Sequence, residues 1–104
     1  MSRVNERSTA WVEVRLRGRA DDPVTPATLS YQIDCLTSRT AIRPPTALPP
    51  GSMVEIRLTP TDNRIVTADH AHEIRQMTVV ATFGAEDQQT AVFTWQVMNL
   101  VGLS

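Results

Sequence analysis

With 104 residues and 41% hydrophobic side chains, the chain is sized for one domain with a continuous core and is too apolar for a disordered segment. Its 10 basic residues, all arginine, stand against 11 acidic ones for a formal net charge of -1, which excludes the footprint of a general nucleic-acid binder. No run approaches the ~20 apolar residues of a membrane helix, and the lone cysteine, Cys35, excludes an internal disulfide.

Residues 1–10 are polar and lack the apolar stretch of a secretory signal; they read as a flexible N-terminal arm on a protein made in a bacterial cytoplasm. A first strand follows, with Val12, Val14 and Leu16 on one face and Glu13, Arg15 and Arg17 on the other. Trp11 lies on the opposite parity from the apolar row, so it either caps the edge of the fold or is an exposed contact. Gly18 to Pro26 reads as a connection, because its prolines lack the N–H that a central strand requires.

Leu29 to Cys35 alternates most cleanly: Leu29, Tyr31, Ile33 and Cys35 face one way, Ser30, Gln32 and Asp34 the other. On that face the Cys35 thiol behaves as a small hydrophobe. Thr40-Ala41-Ile42 reads as a short strand ended by Pro44-Pro45, and Val54 to Leu58 as another, ended by Pro60. Thr61-Asp62-Asn63-Arg64 is a turn signal, since Asx side chains bond their own backbone.

Thr67 to His72 reads as loop. Met77 to Phe83 forms a strand with Met77, Val79, Ala81 and Phe83 inward; Ile74 breaks that parity, so the strand begins after it or a bulge near Arg75-Gln76 resets the register. Gly84 to Asp87 turns the chain, and Thr90 to Val97 returns with Ala91, Phe93, Trp95 and Val97 inward. Residues 99–104 form an apolar tail in which Leu100, Val101 and Leu103, like Trp11, are interface candidates. Short strands punctuated by turns predict one all-β domain over residues 11–98, an antiparallel β-sandwich of about seven strands.

Chemistry is sparse. The one cluster with ligand character is Asp69-His70-Ala71-His72-Glu73, where His70 and His72 are weak metal candidates; zinc sites draw three or four ligands from at least two segments, so ordinary loop histidines are the preferred reading and no cofactor is expected. There is no G-x-S-x-G elbow, no C-x-x-C and no glycine-rich phosphate loop, and the acidic pairs Asp21-Asp22 and Glu86-Asp87 sit in turns. The expectation is a protein that is not an enzyme.

The strand Tyr31-Gln32-Ile33-Asp34, the turn Asn63-Arg64-Ile65 and the strand Glu73-Ile74-Arg75-Gln76-Met77-Thr78-Val79 carry a resemblance that spans residues 29 to 83. The chain resembles small phage and prophage structural proteins with an immunoglobulin- or fibronectin type III-like sandwich. That resemblance implies a virion part, as a head decoration, neck or tail component. It implies contacts with other virion proteins or with further copies of itself, and none with nucleic acid or membrane. The alternative is a bacterial immunoglobulin-like module that binds protein or carbohydrate; a metal- or ligand-binding domain using His70 and His72 is a third, weaker reading.

Overall fold

The computed structural model describes residues 2–17, 24–84 and 87–100. Seven strands run through these residues: β1 Ser2–Asn5, β2 Ala10–Arg15, β3 Thr28–Cys35, β4 Thr40–Leu48, β5 Met53–Leu58, β6 His72–Thr82 and β7 Gln88–Met98. They form a five-stranded sheet in the order β1-β7-β6-β3-β4 and a two-stranded sheet of β2 and β5. No described residue is helical.

Alternation builds the core. The inner face of the five-stranded sheet supplies Leu29, Tyr31 and Ile33 from β3, Met77, Val79 and Ala81 from β6, and Trp95 and Val97 from β7. The two-stranded sheet and the residue after β2 supply Val14, Ile56, Leu58 and Leu16 to the same cluster, so the two sheets pack as layers around one core. Registers align the inner side chains in rows across the strands. Ile33 lies opposite Met77, which lies opposite Phe93; Tyr31, Val79 and Ala91 form the next row. Tyr31 and Trp95 are buried as their parity predicts, while Phe83 and Phe93 are half-buried against the core.

Four expectations are corrected. The sandwich is not purely antiparallel, because β1 runs parallel to β7, with Ser2 beside Trp95 and Val4 beside Val97. For the same reason residues 2–5, expected within a flexible arm, form a strand: Val4 packs on the core and Glu6 N donates to the Met98 carbonyl at 2.9 Å. Pro44 and Pro45 do not end β4. They are tolerated because β4 is an edge strand with register shifts against β3, where a missing N–H breaks no ladder. Finally, β6 starts at His72 and runs without a bulge, pairing residue for residue with β7 from His72 to Thr82.

The turn after β6 uses Gly84 at φ 149°, a backbone region that L side chains rarely adopt. Phe83 N donates to the Asp87 carbonyl at 2.9 Å across that turn. The expected connection over residues 18–23, turn residues 85–86, and the interface candidates Val101 and Leu103 lie outside the described residues.

Candidate functional site

The unbroken register of β6 has a chemical consequence. If Met77, Val79 and Ala81 face inward, so do Arg75 and Glu73, and both are fully buried. Arg75 lies in the row between Cys35 and Trp95. Ile74 is left on the outer face, where its N–H is held by the Thr37 hydroxyl at 2.9 Å. A buried charge is expensive unless it is paired and its remaining hydrogen-bonding capacity is met. Both conditions hold here. Arg75 Nη1 donates to Glu73 Oε1 at 3.1 Å and to Cys35 Sγ at 3.0 Å, while Nε donates to the Asp62 carbonyl at 3.3 Å and Nη2 to the Arg64 carbonyl.

Glu73 is equally saturated. Oε1 accepts from Val66 N at 2.8 Å, and Oε2 accepts from Thr67 N at 2.9 Å and from His70 Nδ1 at 2.9 Å. Burial alone pushes this carboxyl up. The two backbone N–H groups, His70 and Arg75 outweigh it and hold the pKa at about 2. The loop between β5 and β6 is thereby closed onto the first residues of β6.

A second pair locks the same loop from its other end. Asp62 is buried and forks with Arg43 of β4, Nε to Oδ1 and Nη2 to Oδ2, each at 3.0 Å. Asp62 Oδ2 also accepts from Thr59 N at 2.9 Å while Asp62 N donates to the Thr59 hydroxyl at 3.2 Å; the chain turns at Thr61-Asp62-Asn63-Arg64 as expected, but the Asp62 side chain reaches back three residues instead of forming an Asx turn. The hydrogen bond to Asp62 raises the Arg43 pKa further above its ordinary value, and the guanidinium stands 5.9 Å from the Tyr31 ring centroid. Asn63 completes the lock. Its Nδ2 donates to the Ser8 carbonyl at 2.8 Å, and its Oδ1 accepts from Trp95 Nε1 at 3.0 Å. Asn99, just after β7, donates to the Ala68 and His70 carbonyls. The β5–β6 loop is thus tied to β4, β6, β7 and the β1–β2 turn.

The two sequence candidates for a metal do not converge. His70 turns onto Glu73, while His72 is exposed at the start of β6. Among the described residues no three His, Cys, Asp or Glu side chains are grouped to hold a metal ion. Of the interface candidates that are described, Trp11 is 61% exposed and Leu100 is 56% exposed. Trp11 stands on β2 beside Arg57 of β5, and Leu100 follows β7, where its N–H is held by Glu6 Oε1 at 2.9 Å. The buried network itself was invisible to strand parity. The signal for it is the pattern Glu73-x-Arg75 continuing the Met77-Val79-Ala81 row, two opposite charges one strand repeat apart.

The outer faces of the two sheets differ in chemistry. On the two-stranded sheet the outward row of β2 is Trp11, Glu13 and Arg15, and that of β5 is Arg57, Glu55 and Met53. On the larger sheet β6 presents Ile74, Gln76, Thr78, Val80 and Thr82, β7 presents Thr90, Val92, Thr94 and Gln96, and β3 presents Ser30, Gln32 and Asp34. Compared with known proteins, the chain matches no family model, no curated protein and no solved structure.

Proposed function

We propose that the chain is a non-enzymatic structural subunit of a phage virion or phage-like particle, an immunoglobulin- or fibronectin III-like sandwich that acts through protein–protein contacts. The observation that carries the reading is the saturation of its converging polar groups. Glu73, Arg75, Asp62 and Asn63 are spent on each other and on the backbone, so what the molecule offers its surroundings is sheet surface and strand edge. Binding surfaces of this kind recur in assemblies, by face packing or by strand addition.

The strand pairing supports the fold side of the reading. β2 pairs with β5 in one layer while β3, β6 and β7 pair in the other, which is the B–E and C–F–G division of an immunoglobulin sandwich. β4 extends the second layer beside β3, and β1 joins its far edge beside β7. The virion side rests on the sequence resemblance over residues 29–83. Quantitative mass spectrometry of particles sedimented from the producing culture tests it. The chain is expected in the particle fraction at a fixed ratio to the major structural protein. Its recovery only among free proteins would overturn the proposal.

A further inference from the structure

We infer that the outer face of the five-stranded sheet is the surface on which two copies of this chain stack. The first ground is charge. Along the outward rows of β3, β6 and β7, Asp34 is the one side chain from Ser30 to Asp34, Ile74 to Thr82 and Thr90 to Gln96 with a formal charge at neutral pH; Arg3 of the short edge strand β1 stands beside Gln96 at the rim. β4 adds the small, exposed Ala41 and Ala47 beside Asp34 and Ser30. On the opposite face of the molecule the outward positions are mostly Glu and Arg, so the depletion is specific to this sheet. Interface cores are marked by such a loss of charge.

The second ground is self-complementarity. Threonine, serine and glutamine each donate and accept hydrogen bonds, so a face built from them meets its own copy without a mismatch. Its centre, around Thr78, carries no formal charge and so meets that copy without repulsion. Thr78 sits at that centre, opposite Gln32 on one side and Val92 on the other; Val92, 55% exposed, supplies an apolar contact. A partner of another chemistry, bearing lysines or carboxylates, would bring charges that this face leaves unpaired.

The third ground is area. The long strands β7, β6, β3 and β4 at about 4.8 Å spacing and about 3.3 Å per residue give a projected footprint of roughly 600 Å². Side-chain relief brings that toward the ~800 Å² per partner of a standard interface. Two such faces pack about 10 Å apart with strands near-aligned, as an isologous pair related by a two-fold axis.

The inference deepens the contact-making role proposed above and rests on it, but the two fail separately. A chain that enters particles yet never pairs through this face overturns only the inference. A chain that pairs yet stays out of particles overturns only the virion reading. Sedimentation velocity of the full chain, from micromolar to hundred-micromolar concentration, is the test. The wild type is expected to form a dimer. Thr78→Arg sets like charges against each other across the axis and is expected to weaken the dimer roughly a hundredfold or more. Met53→Arg, on the outer face of the other sheet and 62% exposed, is expected to leave it unchanged. Circular dichroism and the Trp95 emission of each variant report whether the fold is kept, and Asp34→Asn, which removes the one formal charge on the outward rows of β3, β6 and β7, is expected to tighten pairing. A monomeric wild type throughout the range, or a dimer indifferent to Thr78→Arg and to Asp34→Asn, would overturn the inference.

Discussion

Replacing Glu73 with Gln keeps the shape of the side chain and removes the charge that neutralises Arg75. The carboxylate accepts from Val66 N, Thr67 N, His70 Nδ1 and Arg75 Nη1 at 2.8 to 3.1 Å. A carboxamide has one acceptor oxygen, so its NH₂ is set against a backbone N–H that now goes unsatisfied. Breaking one side of a buried ion pair costs about 3–5 kcal/mol. The depressed pKa gives an independent figure: from 4.5 to about 2 corresponds to roughly 3 kcal/mol. The two agree on a large share of the ~5–15 kcal/mol available to a domain of this size.

Urea unfolding followed by tryptophan fluorescence measures the loss, since Trp95 is hydrogen-bonded to the same network. The pH dependence is a sharper test. A carboxyl depressed in the folded state contributes its full stabilisation above the unfolded value of 4.5, and that contribution fades as pH falls through about 2. The gap between wild type and Glu73→Gln is therefore constant at neutral pH and closes between about 4.5 and 2. A loss under about 1 kcal/mol at pH 7, or a gap independent of pH across that window, would mean that Glu73 does not hold Arg75 as described.

Other perturbations follow from the same geometry. Asn63→Ala strands the buried Trp95 indole N–H and frees the Ser8 carbonyl, and is expected to cost about 2–3 kcal/mol in chemical denaturation. Ile33→Ala empties a fully buried site between β4 and β6 and is expected to cost about 2–5 kcal/mol on the same assay. Gly84→Ala meets no atom within 4 Å, so its expected loss of about 1–3 kcal/mol comes from backbone strain at φ 149° alone. Replacing Gly84 with a D-alanine, which favours positive φ, should then restore stability in a chemically synthesised chain.

How much of this was legible in the sequence depends on which side chains signal their own environment. Leu29 to Cys35, Val54 to Leu58 and Ala91 to Val97 are half-buried strands whose apolar residues repeat every second position, and these elements fold where their alternation puts them. Alternation fails at β6 because it treats charge as outward. There Glu73 and Arg75 face inward, and the apolar Ile74 misdirects the parity. It fails at β4 because a proline pair reads as a stop unless the strand is known to lie on an edge, a fact set by tertiary pairing. β1 carries almost no pattern: its four residues become a strand through β7 and the burial of Val4. Asp62 and Asn63 announce a turn in sequence, but their bonds to Arg43 and Trp95 are long-range. The depletion of charge on the outer face of β3, β6 and β7 is visible only once the three strands are known to be neighbours.

The proposed function divides labour across one sheet: inward side chains hold the fold and its polar lock, and outward ones make the contacts. Single substitutions along β6 separate the two roles, with melting and sedimentation measured on every variant. Changes at Glu73, Arg75, Met77, Val79 and Ala81 should lower stability, whereas arginine at Gln76, Thr78 or Val80 should weaken self-association and leave melting nearly unchanged at concentrations where the wild type is monomeric. Outward substitutions that unfold the chain, or inward ones that alter association at full stability, would contradict it.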